Sequence, residues 1–378
     1  MFADTMRWAW AEIDLGRIAS NMRAVRAKAG GRQVMGVVKA DAYGHGAAAV
    51  SRVLLENGAD SLAVATLDEA AALRDAGFDC PVLVLGPTPD ECCGALMEYG
   101  LTPVTAVCEN AAAISRAAAA AGVEKGLFVA VDTGMGRIGV PADASGAREL
   151  ARIASLPNIR LEGVFSHFAT ADERDKSYAM EQISLFDRFC GMIEAMGLKP
   201  GVRTFANSAA LMGIPSALYD AVRPGIALYG CYPSGDVSRD SLALAPAMSV
   251  KARITHIKRV PPGTSISYGR KFTAERESVI ATLPLGYANG LPRFISGKGR
   301  VIARGEYAPL VGTVCMDQCM ADVTGIAGVE RGDEVVVMGA DGGREIRAEE
   351  IGKKTGTISY EALCGFGRCL PRVYRGPG

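Results

Sequence analysis

The strongest constraint on this chain is a rhythm. Between about residue 33 and residue 230, short apolar runs alternate with longer amphipathic ones. The apolar runs fall at Gln33–Val38, Leu62–Ala65, Val82–Leu85, Thr102–Ala106, Leu127–Val131, Leu161–Phe165 and Val202–Phe205, with a shorter eighth at Ala221–Val222. Helical patterns separate them, among them Ala47–Asn57, Leu67–Ala76, Asn110–Ala121 and a long one from Lys176 to Met196. Strands that alternate with helices predict parallel pairing through right-handed crossovers. Eight such units match a (β/α)₈ barrel in number and length, with an open doubly wound sheet as the alternative.

The rhythm changes after residue 240. Met248–Val260, Ser278–Leu283, Gly299–Arg304, Ala308–Val314 and Glu334–Met338 are β-type runs broken by Pro and Gly, and helical pattern is scarce until Ala348–Thr355. The expected α/β fold is therefore a TIM-type barrel over residues 14–240, followed by a mostly-β domain over 241–378.

Composition narrows the partners. Lys+Arg and Asp+Glu both number 41, so no charge excess calls for nucleic acid or an anionic membrane. No apolar run reaches the length of a membrane span. Residues 1–15 carry Asp4, Arg7, Glu12 and Asp14 and do not read as a signal peptide. The 10 cysteines are irregularly spaced, form no CxxC pair and accompany only 3 histidines. Reduced thiols in a cytoplasmic protein are expected, without a metal site.

Barrel chemistry gathers at the carboxyl ends of the strands. Those ends carry Lys39, then Asp132 with Arg137 five residues on, His167, Asn207 with Ser208, and Arg223 followed by Pro224 and Gly225. A lysine leaving an apolar strand is partly desolvated, which suits Schiff-base chemistry. Its bland reading is a strand-capping amine in water. Ser208 at a helix start and Gly225 on the neighbouring connection suggest a phosphate seat; Ser208 could equally be a plain helix cap. A reactive lysine with a phosphate seat fits pyridoxal 5′-phosphate, and fits an aldolase of sugar phosphates as well.

The segment Val37-Val38-Lys39-Ala40-Asp41-Ala42-Tyr43-Gly44-His45-Gly46 closely resembles the cofactor-attachment signature of alanine racemases. Asp132-Thr133-Gly134-Met135-Gly136-Arg137, Ser166-His167-Phe168-Ala169, Arg223-Pro224-Gly225-Ile226, Ser267-Tyr268-Gly269-Arg270, Gly286-Tyr287-Ala288-Asn289-Gly290, Cys315-Met316-Asp317-Gln318 and Pro371-Arg372-Val373-Tyr374 resemble further family blocks, in family order. The resemblance implies a pyridoxal-phosphate racemase working as a homodimer, each site built from one barrel and the partner's β domain, with residues 1–13 joining the β domain as a strand. It implies catalysis by Lys39 and by Tyr268 of the partner subunit. Tyr43, Ser208, Gly225, Ile226 and Tyr360 are implied as phosphate contacts. Arg223 is assigned to the pyridine nitrogen, with His167 linking it to Tyr268. Arg137 and the backbone of Met316 are implied at the substrate carboxylate, and Tyr287, Arg293, Asp172 and Tyr360 at the entrance. D-alanine for peptidoglycan is the implied product. A racemase of serine or of broader range is the nearest alternative. A non-catalytic cofactor-binding barrel fits less well, because Tyr268 lies in a second domain.

Two positions depart from the family pattern. Many relatives carry a carbamylated lysine beside the substrate arginine; here Ala130 stands there, which predicts another anion or a nearby carboxylate at Arg137. Many carry histidine where this chain has Thr204, which predicts a looser or water-bridged Arg223.

Overall fold

A computed structural model describes residues 8–376. Residues 1–7 of the expected N-terminal strand lie outside the described residues.

Eight parallel strands form a closed ring. They are Gln33–Val37, Ser61–Val64, Val82–Pro87, Thr102–Thr105, Lys125–Asp132, Ile159–Phe165, Val202–Thr204 and Ala221–Val222. Each pairs with the next, and the eighth pairs with the first through Ala221↔Gln33 and Val222↔Val34. Closure excludes the open-sheet alternative. The eighth strand has only two residues, yet its alternate partners on both sides complete the ring.

The helix Leu15–Ala29 precedes the first barrel strand and was not read from the sequence. Its signals are local. The Asp14 side chain accepts from the Arg17 backbone N–H as an N-cap should. Leu15, Ile18, Met22, Val25 and Ala29, spaced by three and four, form its buried stripe.

The second unit is a mostly-β sheet whose path ends Glu334–Asp341, Met248–Arg253, Ala9–Asp14, Arg372–Arg375. Ala9–Asp14 lies antiparallel to Met248–Arg253 and parallel to Arg372–Arg375. Met248–Val260, expected as one run, splits into Met248–Arg253 and His256–Val260. The helix Ser359–Cys369 was also missed. It matters most, because it leans against the Lys39 turn: a Cβ on Gly44 would meet the Leu363 carbonyl oxygen at 2.8 Å, and one on Gly367 would meet the Gly44 oxygen at 2.0 Å. Only glycines at both positions allow these backbones to approach so closely. No helix is long and apolar enough to cross a membrane among the described residues.

Candidate active site

The first barrel strand ends at Val37, and the chain then turns the wrong way. Ala40, Asp41, Ala42 and Tyr43 all hold φ between 51° and 54°. Left-handed residues cost about 1–2 kcal/mol each, so the turn needs external support. Asp41 accepts from the Ala47 N–H at 2.6 Å and pairs with Arg372. Arg372 also donates to the Gly44 carbonyl at 2.8 Å. His45, fully buried, contacts the Ala42 and Tyr43 carbonyls through Nδ1 at 3.0 and 3.1 Å, so Nδ1 carries the proton. The result turns Tyr43 inward while Lys39 stays at the strand end.

Lys39 lines a cavity of about 390 Å³ at the carboxyl ends of the barrel strands. Burial, and then the positive charge of Arg137, push its amine below the usual lysine range; Glu69 and Cys364 oppose this. Tyr43, Ser208, Gly225, Ile226 and Tyr360 line the same cavity. A Cβ on Gly225 would sit 2.4 Å from the Tyr43 hydroxyl, so glycine keeps that wall open. The helix cap is Asn207, which accepts from the Ala210 N–H. Ser208 is thereby released from capping. Its hydroxyl accepts from the Gly225 and Ala227 N–H groups at 2.9 and 3.3 Å, which leaves its own proton free to donate.

Arg137, His167 and Arg223 complete the ring of predicted residues around this cavity. Arg223 is buried. It donates to the Thr204 hydroxyl at 2.7 Å and to the Ser166 carbonyl at 2.6 Å. The expectation of a looser or water-bridged Arg223 is thus corrected: the contact is direct. Thr204 ends the strand that pairs with the eighth at Ala221, so a short hydroxyl suffices to reach Arg223. Burial and Arg137 lower the Arg223 pKa to about 9, which still leaves it protonated at neutral pH. His167 Nδ1 faces Arg223 Nη2 at 3.5 Å. Burial, Arg223, Arg137 and Lys39 lower the His167 pKa to about 3. The imidazole is neutral, with Nδ1 as acceptor and the proton on Nε2.

Arg137 follows a tight loop. Asp132 accepts from the Gly134 and Gly136 N–H groups at 2.9 and 3.0 Å. Tyr178 donates to the Gly134 carbonyl at 3.0 Å. Among the described residues no carboxylate pairs with Arg137, and Ala130, Arg137, Ser166 and His167 line one small void.

Two predicted residues stand apart. Tyr268 and Met316, 70% and 54% exposed, share a shallow hollow on the β domain with Ser267, Cys315, Asp317 and Gln318. Neither lines the Lys39 cavity. Of the expected entrance residues, only Tyr360 lines it; burial, then Tyr43 and Asp172, push its hydroxyl pKa up. Sequence reasoning did not single out the cavity walls Val37, Ala65, Leu85, Phe165 and Ile138, whose apolar side chains carry no chemistry of their own. It also missed Tyr178, whose signal is the left-handed Gly134 that it abuts.

Comparison with known proteins gives a consistent family. The model of the alanine racemase N-terminal domain matches residues 13–233, and that of the alanine racemase C-terminal domain matches residues 247–374. Alanine racemase 1 of Clostridium acetobutylicum is 45% identical over 369 residues, covering 98% of this chain and 96% of that protein. The structure of alanine racemase from Clostridium difficile 630 superposes with a TM-score of 0.93 at 40% identity, over 98% of this chain and 96% of that one. The alanine racemase of Bartonella henselae, solved with covalently bound pyridoxal phosphate, superposes with a TM-score of 0.88 at 27% identity, over 98% of this chain and 100% of that one. A barrel with Lys39 at its mouth, joined to a β domain and matched along nearly its whole length, places this chain in the alanine racemase family.

Proposed function

We propose that this protein interconverts L- and D-alanine with pyridoxal phosphate, moving the Cα proton between Lys39 and Tyr268 of the partner subunit. The observation that carries the reading is the division of the site. Nine of the expected residues line one cavity in the barrel, while the exposed Tyr268 and Met316 lie outside it on the other domain.

The cavity fits the cofactor. The Arg223 Nη atoms have protein acceptors, whereas its Nε–H takes none among the described residues; that donor suits a ring nitrogen. Tyr43, Tyr360 and Ser208 offer hydroxyl donors in the same cavity, beside the backbone of Ile226 and with Gly225 holding the Ser208 hydroxyl in place, as a phosphate needs. When bound, pyridoxal phosphate supplies an electron sink for the substrate Cα. Arg223 would hold the ring nitrogen through its Nε–H and, unable to surrender its proton, would restrain charge withdrawal.

The chain's own groups do the rest. Arg137 and the backbone of Met316 of the partner subunit hold the substrate carboxylate. Lys39 exchanges a proton with Cα on one face, and burial, by lowering its pKa, makes the amine a readier base. Tyr268 of the partner subunit exchanges it on the other. A free tyrosine is a weak base at neutral pH. The neutral His167 donates its Nε2–H to the phenolate oxygen and so favours the ionised form. The working units are residues 14–240 and 241–378, in a head-to-tail homodimer. Its D-alanine serves peptidoglycan in the cytoplasm, a setting in keeping with ten free cysteines.

Mixing two inactive variants tests this reading. Lys39→Ala and Tyr268→Phe chains, unfolded and refolded together in equal amounts, form hybrids with one intact shared site. Recovery of about a quarter of the wild-type rate, following L-alanine optical rotation in D₂O, is expected for a two-fold dimer. No recovery places both groups in one chain and overturns the shared site.

A further inference from the structure

Glu69 carries a function that its sequence context disguises. Thr66-Leu67-Asp68-Glu69 has the form of a helix capping box, in which the glutamate reaches back to the N-cap N–H. Half of that box forms: the Thr66 hydroxyl accepts from the Glu69 N–H. The Glu69 carboxylate goes elsewhere. Oε2 accepts from the Ala65 N–H at 2.7 Å. Oε1 accepts from the Ala40 N–H at 2.6 Å.

Ala40 is the first residue of the left-handed turn, and its N–H belongs to the peptide that leaves Lys39. The turn bonds Ala42 to Val38, Gly44 to Ala40 and Gly46 to Asp41, and gives the Ala40 N–H no backbone acceptor. We propose that Glu69 is the positioning residue of Lys39: its carboxylate ties the Lys39–Ala40 peptide to the end of the second barrel strand and sets a fixed negative charge beside the amine. The two functions share one geometry. An ionised carboxylate is acceptor-only on both oxygens, so it serves two N–H groups at once. A glutamine presents one oxygen and one NH₂, and must turn a donor toward one of them.

The charge has company. Arg137, from the loop after the fifth strand, faces Lys39 with a positive charge, and Cys364, from the helix Ser359–Cys369, faces it as a thiol. His167 at the end of the sixth strand is neutral, and Tyr43 keeps its proton because burial pushes its pKa up. Glu69 thus opposes Arg137. Without it the amine loses its proton more easily.

The inference rests on Lys39 as the reacting amine, and its test reads Lys39 directly rather than through turnover. In the cofactor-free full chain, amine-directed labelling of Lys39 is followed against pH by peptide mass spectrometry, with exposed Lys28 as internal reference. Glu69→Gln is expected to move the Lys39 midpoint down by about one pH unit, a roughly tenfold faster labelling below the midpoint, with Lys28 unchanged. In the loaded enzyme, the pH midpoint of the cofactor's visible spectrum moves as well. An unchanged Lys39 midpoint in a folded Glu69→Gln chain overturns the proposal. A second measurement needs no variant: the Ala40 and Ala65 amides of the wild-type chain exchange slowly with deuterium. Exchange at the rate of free amides overturns the geometry. If Lys39 proves dispensable for racemisation while these shifts appear, the functional reading fails and the role of Glu69 stands.

Discussion

The buried guanidinium of Arg223 rests on the hydroxyl of Thr204, 2.7 Å away. One short side chain on the seventh strand therefore does the supporting work for a charged group on the connection after the eighth. Thr204→Val keeps the shape and removes the acceptor. A hydrogen bond to a charged group contributes about 1.5–3 kcal/mol. Denaturant melts should show a loss of that size, with weaker cofactor retention. An unchanged midpoint removes Thr204 from the support of Arg223.

Tyr268 is 70% exposed and contributes little to this chain's core. Tyr268→Phe should leave the melting temperature nearly unchanged and the cofactor bound. Racemisation should fall by about 10²–10⁴-fold, the usual contribution of a positioned acid–base group. The loss should appear in both directions when L- and D-alanine are each supplied. Retention of full activity sinks the two-base assignment.

Tyr178 holds the loop before Arg137 through the Gly134 carbonyl. Tyr178→Phe frees that carbonyl and leaves the cavity walls intact. The KM for alanine should rise severalfold while kcat changes little, the signature of weakened ground-state binding. An equal fall in kcat at constant KM contradicts this role.

Arg137 has no carboxylate partner among the described residues, and Ala130 leaves space beside it. A small anion should fit next to the guanidinium. Replacing acetate with chloride at constant ionic strength should lower the KM for alanine. Identical kinetics in both salts argue that Arg137 works without one.

Two histidines are held neutral, His45 with a pKa lowered to about 4 and His167 to about 3, burial being the first cause in each. Both folded values lie below the unfolded value near 6.5. The unfolded chain therefore binds more protons in the window, and stability rises with pH there. Their contribution is complete above about pH 6.5 and is lost as pH falls through the window toward pH 4 and pH 3. Each histidine adds a slope of at most about 1.4 kcal/mol per pH unit. Urea melts from pH 7.5 to 4.5 should show that fall, and His167→Gln should flatten it. A pH-independent midpoint shows that neither imidazole resists protonation.

Much of the molecule was legible in the chain order. The strand–helix alternation declared the barrel because periodicity is a local property. Lys39, Arg137, His167, Ser208 and Arg223 were legible because barrel chemistry sits at strand ends. The helix Ser359–Cys369 was missed because Gly365 and Gly367 weaken its helical pattern; Gly367 admits the approach of Gly44, 323 residues away, and Gly365 that of Gly290. The diversion of Glu69 from its capping box was hidden for the same reason, since the Ala40 N–H that attracts it is 29 residues distant.

The sequence by itself determined the family, the strand count, the lysine at the first strand's end and the set of polar groups around it, because each is written in residue identity and spacing. Tertiary structure decided the rest: the closure of the ring through a two-residue strand, the left-handed turn braced by Arg372, the direct Thr204–Arg223 bond, and the separation of Tyr268 from the Lys39 cavity. These depend on which backbone groups meet across long sequence distances. Burial then lowers the proton affinity of Lys39, His167 and Arg223 through desolvation, a property of the folded surroundings that no residue carries alone.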